Sequence, residues 1–447
     1  MLVGDFASTP LDRRYPLWQM WVAEGIEDGL IAGITKMHHA AIDGVTGADL
    51  MVHLFDLTPE VEAKPPPEDW EPERAPTDME LVGEALARRF LRPLRLARTM
   101  VRTGQAVVNV VNIRRVPGAA PAALPFTAPM TPFNGSITPH RAVSFSRSSL
   151  EDMKVAKRAF GCTINDIVLG ASTISLRNWL IAHDALPEQP LIASVPVSVH
   201  GNDAVEGTNK VSSMFVALPV HLQDPMEQLD AIRAVTKGAK EIHNAMGADM
   251  LSGLAEFLPP RLINQATKLY SRHNLADRHR PVHNLIISNV PGPPIPLYCA
   301  GARVVATYPL GPIMEGSGLN ITVLSNMGNV DFGVLACREM VPDLDDLATG
   351  FSDAVAMLRK LADERSAAPP VETAADPAAA PSTAPPAAKA PRAKKAVKTS
   401  KPATAVEPVE AVEPVEAVEP VEASSGAAPA AEATAQDATT PGPDTPQ

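Results

Sequence analysis

Two apolar-rich runs, Trp18–Ile26 and Leu30–Met37, flank the turn-forming triplet Glu27-Asp28-Gly29, and this arrangement predicts a β-hairpin. His38 and His39 stand at the exit of its second strand, and Val45–Leu57 predicts a helix. Leu81–Arg115 is helical in pattern, with Pro93 as a kink. Further on, Ser149 and Asp152 read as a capping box for a helix over Leu150–Phe160, ended by Gly161. Thr163 opens a second helix that runs to Ala182. Strand-like runs follow at Leu191–Val199, Val211–Val220, Leu285–Ser288, Leu319–Ser325 and Val330–Cys337. The last two are joined by the turn Asn326-Met327-Gly328-Asn329. Helices and strands interleave, so the expected class is α/β with mixed sheets.

Composition divides the chain into four parts: 1–58 with the hairpin, 59–131 as a linker with an arginine-rich helix, 132–365 as a second folded region, and 366–447 as a tail. The tail has no aromatic residue and is dominated by Ala, Pro, Thr and Glu. Such a segment cannot bury enough apolar surface to offset its ordering entropy, so disorder is expected. Within it the hexad Ala-Val-Glu-Pro-Val-Glu occurs three times from Ala405 to Glu422, an extended acidic spacer.

The net charge is -12, of which the tail supplies -5 and residues 1–365 the remaining -7. An acidic body argues against a specific nucleic-acid partner. Cys162, Cys299 and Cys337 are dispersed and imply neither a disulfide framework nor a zinc site. No secretory leader or bilayer-spanning apolar run is recognisable, so the expected location is cytoplasmic, or peripheral on an inner membrane face or lipid droplet. The segment 81–115 bears on this choice. It carries Arg88, Arg89, Arg92, Arg95, Arg98 and Arg102 at intervals that share a face, with no acid after Glu84. It fits either a lipid-surface contact or a solvated strap between domains.

Chemistry concentrates in His38-His39-Ala40-Ala41-Ile42-Asp43-Gly44. An imidazole, with an unperturbed pKa of about 6.5, can take a proton from a hydroxyl at neutral pH. Consecutive residues of an extended chain point to opposite sides, so one histidine can face a cavity while the other packs. For the same reason the pair diverges and makes a poor zinc site, which needs three converging ligands; no metal is expected. No Gly-x-Ser-x-Gly elbow supports a serine nucleophile.

Together with Pro10-Leu11-Asp12-Arg13, Pro16-Leu17-Trp18, Pro132-Phe133-Asn134-Gly135, Asn165-Asp166 and Pro196-Val197-Ser198, this segment resembles the bacterial wax ester synthase/acyl-CoA:diacylglycerol acyltransferases. Ser288-Asn289-Val290-Pro291-Gly292-Pro293, Pro296-Leu297-Tyr298, Ala300-Gly301-Ala302 and Gly318-Leu319-Asn320-Ile321 extend the resemblance, in family order, over about residues 1–362. The HHxxxDG segment alone is shared with condensation domains of peptide synthetases, whose amide-forming chemistry is an alternative; the downstream segments favour the acyltransferases.

The resemblance implies a chloramphenicol-acetyltransferase-like fold of two lobes with a tunnel between them. Acyl-CoA would enter as co-substrate, without a cofactor, and meet diacylglycerol or a long-chain alcohol. His39 would be the general base, acting without an acyl-enzyme. His38 would line the tunnel or pack, and Asp43 would anchor its loop to an arginine or orient the imidazole. Gly44 would permit the backbone turn, while Asn165 and Asp166 would support the site or simply cap a helix. Asp331-Phe332-Gly333 resembles a structural turn of related plant acyltransferases. Family members carry most of a first lobe ahead of the Pro-Leu-Asp-Arg segment, whereas nine residues precede it here. A compact lobe takes about 100 residues or more. The expectation is an incomplete first lobe, with a catalytically impaired lipid- or membrane-binding homologue as the alternative to an active enzyme.

Overall fold

A computed structural model describes residues 2–39, 54–60, 74, 76–86, 100–101, 104, 126–198, 211–246 and 260–367. All of these lie in one unit, Met1–Thr373. Of the expected helix over Val45–Leu57, residues 45–53 fall outside the described residues; Leu54 is helical, but Asp56 pairs with Tyr298 in an antiparallel bridge, so the helix stops short of Leu57. Most of the arginine-rich segment and residues 368–447 of the expected disordered tail also fall outside. Ser366 and Ala367 instead continue a helix that starts at Leu344, so the folded part runs two residues further than expected.

The chain begins with a short helix α1 (Leu2–Ser8), followed by the hairpin β1 (Trp18–Ala23) and β2 (Ala32–Met37). The strands are shorter than the sequence suggests, because Gly25, Asp28 and Gly29 all take positive φ and a 3-10 turn over Glu27–Gly29 occupies the connection. Residues 78–86 are helical. That helix starts three residues before Leu81, because Thr77 and Glu80 form a reciprocal capping box.

The main body follows as β3 (Arg141–Ser149), α2 (Leu150–Phe160), α3 (Ile164–Ala182), β4 (Leu191–Ser198), β5 (Val211–Leu218), α4 (Pro225–Met246) and α5 (Pro260–Arg272). It closes with β6 (Leu285–Val290), the two-residue strands β7 (Tyr298–Cys299) and β8 (Ala302–Arg303), then β9 (Leu319–Asn326), β10 (Asn329–Cys337) and α6 (Leu344–Ala367). Six strands form one sheet in the order β3-β10-β9-β6-β4-β5. The β4–β6 and β6–β9 pairs are parallel and the other three antiparallel, so the mixed α/β class expected from the sequence holds.

Helices α2, α3, α4 and α6 pack on the sheet and on one another. Val168, Leu176, Phe332 and Phe351 are fully buried, and the rings of Phe332 and Phe351 stack at 5.3 Å. Each such side chain contributes about 1.5–3 kcal/mol by leaving water. The helix boundaries follow local chemistry. Ser149 accepts from Asp152 N at 3.2 Å, and Gly161 ends α2 in the left-handed region at φ 62°. The expected box at Ser149 is one-sided, because the Asp152 carboxylate turns to Arg359 instead.

On the far face, β10 is covered by the stretch Val304–Pro312. Tyr308 lies against Phe145 with ring centroids 4.6 Å apart, and a Cβ on Gly333 would sit 1.9 Å from the Pro309 carbonyl oxygen. Asp331-Phe332-Gly333 is therefore the middle of a buried strand and not the turn expected. Its glycine is required by close approach of this strap. No single helix among the described residues is long and apolar enough to cross a membrane.

Candidate active site

Six cross-strand pairs, from Trp18↔Met37 to Ala23↔Ala32, hold the hairpin that presents the histidines. One further bond, His38 N to Leu17 O at 2.9 Å, extends the ladder past Met37 and fixes the backbone at the first histidine. The two side chains then have different environments: His38 is half-buried and His39 is exposed. The expected alternation of an extended chain ends here, because His39 already lies in a turn beyond the strand. Asp43 and Gly44, with the expected loop anchor and backbone turn, lie outside the described residues.

The hairpin is tied to the body through α1. Lys36 donates from Nζ to Phe6 O at 2.8 Å and Thr9 O at 2.6 Å, and its ammonium lies 4.3 Å from the centroid of the Phe6 ring. Burial lowers the Lys36 pKa from its ordinary range. The Phe6 ring also meets Trp21 at 4.3 Å. From α1, Ser8 Oγ accepts from Arg141 N at 2.8 Å and Asp5 pairs with Arg338 at 3.0 Å, which joins the hairpin to the β3–β10 side of the sheet. In the Pro-Leu-Asp-Arg segment, Asp12 pairs with Arg14 at 2.6 Å, which lowers the Asp12 pKa.

Asp166 and Asn165 occupy the first turn of α3. The Asp166 carboxylate accepts from Thr163 N at 2.9 Å and from Thr163 Oγ1 at 2.8 Å, completing a capping box, and from Thr236 Oγ1 at 3.0 Å. It is buried and committed to joining α3 and α4, which is the capping alternative considered for it. Asn165 is half-buried beside it.

Two further features lie in the main body. The Pro-Phe-Asn-Gly segment is a knot: Asn134 Nδ2 donates to Asn284 O at 2.9 Å and Gly316 O at 2.8 Å, while Asn284 Nδ2 returns a bond to Asn134 Oδ1 at 2.8 Å. His283, next in chain to this knot, is buried, and burial lowers its pKa and favours the neutral imidazole. A lone histidine in an apolar context carries no sequence signal that distinguishes it. Among the described residues no group of three His, Cys, Asp or Glu is placed to hold a metal ion.

A histidine pair leaving a strand, mounted beside a mixed sheet with a helical layer, suits proton transfer in a group-transfer enzyme. Comparison with known proteins sharpens this. Residues 1–168 match the wax ester synthase/diacylglycerol acyltransferase catalytic domain, and residues 207–359 match the WS/DGAT C-terminal domain. A Mycobacterium tuberculosis (strain H37Rv) protein provisionally named a diacylglycerol O-acyltransferase is 36% identical over 365 residues, covering 81% of this chain and 71% of that protein. A second protein of that strain, also so named, is 36% identical over 355 residues, covering 77% of this chain and 74% of its own length. The solved wax ester synthase/diacylglycerol acyltransferase of Marinobacter aquaeolei VT8 superposes with a TM-score of 0.56 at 26% identity, covering 81% of this chain and 76% of that one. The chain belongs to the wax ester synthase/diacylglycerol acyltransferase family and is an acyltransferase.

Proposed function

We propose that the chain transfers a long-chain acyl group from acyl-CoA to the hydroxyl of diacylglycerol, giving triacylglycerol, or to a long-chain alcohol, giving a wax ester. The observation that carries the residue assignment is the difference in exposure of the two histidines. His38 is half-buried on a ladder-bonded backbone, and His39 is exposed at the strand exit within the family's catalytic domain. In this reading His39 accepts the hydroxyl proton as the oxygen attacks the thioester carbonyl. The C–S bond then breaks, and the proton passes to the departing CoA thiolate. No acyl-enzyme and no cofactor take part, and His38 supports the loop. General-base assistance of this kind contributes about 10²–10⁴ in rate. Asp43 serves as a loop anchor, Gly44 as the turn, and the arginine-rich segment 81–115 as a contact with a membrane or droplet surface.

A second reading, a lipid-binding homologue without turnover, draws support from the outer face of the hairpin, where Trp18 is 55% and Val22 65% exposed. The test is to incubate the purified chain with palmitoyl-CoA and either dipalmitoylglycerol or hexadecanol, then identify products and free CoA. Triacylglycerol or wax ester with stoichiometric CoA supports transfer. Tight lipid binding with no CoA release supports the second reading.

A further inference from the structure

Helix α5 carries an apolar face that the described residues leave uncovered. Every residue from Arg261 to Leu269 is exposed, with Leu262 at 57%, Ile263 at 40% and Leu269 at 56%. At about 100° per residue, Leu262, Ala266 and Leu269 share one side and Ile263 and Tyr270 flank it. Arg261, Lys268 and Arg272 form the adjoining stripe, and the helix contains no acid. Helices in proteins are held mainly by burying such a face, so its exposure calls for an occupant.

The helix is fastened from behind. Ser271, on the side away from Leu262, donates its hydroxyl to Glu315, which also accepts from Ile137 N at 3.2 Å. Asp277, the acid nearest in sequence, accepts from Ser136 N at 2.7 Å. Both carboxylates are thus turned toward the body. The outward patch continues through Tyr270 Oη, 2.6 Å from His279 Nε2, to the ring of Phe126, which is 59% exposed and 6.1 Å from His279. Arg278 and Arg280 are exposed beside it.

An amphipathic helix of low mean hydropathy, with cations along the edge of its apolar face, has the chemistry of a helix lying in the plane of an anionic bilayer. Pairing with a second copy is disfavoured, because a two-fold contact would set the cationic stripe against itself. We infer that α5 anchors the protein to an anionic phospholipid bilayer, with Leu262, Ile263 and Leu269 among the acyl chains and Arg261, Lys268 and Arg272 at the phosphates. The residues of this surface are other than those of segment 81–115. It rests on the acyltransferase reading only for its purpose, which is to hold the enzyme where lipid acceptors reside.

The test uses the full chain and vesicles of phosphatidylcholine, alone or mixed with phosphatidylglycerol. Binding to the mixed vesicles is expected, with loss at high salt. Leu262→Ser combined with Leu269→Ser, and separately Lys268→Gln combined with Arg272→Gln, should each weaken it by at least about tenfold with thermal melting unchanged. Equal binding by both variants and the parent overturns the inference. So does loss of binding only on substituting Arg88, Arg89 and Arg92, or preference for a neutral triacylglycerol droplet. Turnover of detergent-dispersed acceptor is read separately: an inactive chain that binds vesicles leaves α5 as an anchor, and an active chain that does not bind removes it.

Discussion

Asp331, fully buried in β10, holds the guanidinium of Arg147 in β3 through two hydrogen bonds, at 2.6 Å to Nε and 3.2 Å to Nη2. The same pair grips the strap across the sheet. Asp331 accepts from Thr307 N at 2.9 Å, and Arg147 donates to Val305 O at 2.6 Å. Removing the guanidinium strands a buried carboxylate, the costly way to break such a pair. Arg147→Ala should therefore lower unfolding stability by about 3 kcal/mol, read from the urea midpoint at constant slope. A change within about 0.5 kcal/mol would show that the strap does not depend on the pair.

Asp166 separates a structural from a catalytic role. Its carboxylate is occupied by Thr163 and Thr236, so Asp166→Ala should destabilise the chain by about 1–2 kcal/mol, the usual cost of a lost cap. Per folded molecule, kcat should be unchanged. A kcat loss beyond the folded fraction would place Asp166 in the reaction after all.

Glu339 supplies a pH signature. Hydrogen bonds from Thr138 and His140 hold its pKa at about 2, below the ordinary 4.5. As pH falls the unfolded chain takes up the proton first. The stabilisation is thus present above about pH 4.5 and fades toward pH 2. The side chain is half-exposed, which keeps the effect modest. Glu339→Gln should flatten the melting temperature against pH across that acidic window. A profile that keeps the parent's slope would assign acid sensitivity to other carboxylates.

What was legible in the sequence was local. The hairpin from Trp18 to Met37, the caps at Ser149 and Thr163, and the tight turn at Met327-Gly328 all announce themselves in neighbouring residues. Strand β3 went unread because its inward positions are Ser144, Ser146 and Ser148, polar residues that only the assembled sheet buries. The parallel neighbours β4, β6 and β9 are joined across long sequence separations, which no local period encodes. The same holds for the Asn134–Asn284 knot, whose partners are 150 residues apart. At the site, the order of His38 and His39 on a strand exit was readable. The tie through Lys36 to Phe6 and Thr9 was not, because it depends on where α1 docks.

The role of His39 as proton acceptor is decided by the turnover of His39→Ala beside His38→Ala. The assay follows CoA release from palmitoyl-CoA with dipalmitoylglycerol or hexadecanol, with folding checked by circular dichroism. A fall of about 10²–10⁴ in kcat is expected for His39→Ala and a smaller loss for His38→Ala. Turnover by a folded His39→Ala protein within a few-fold of the parent would contradict that role.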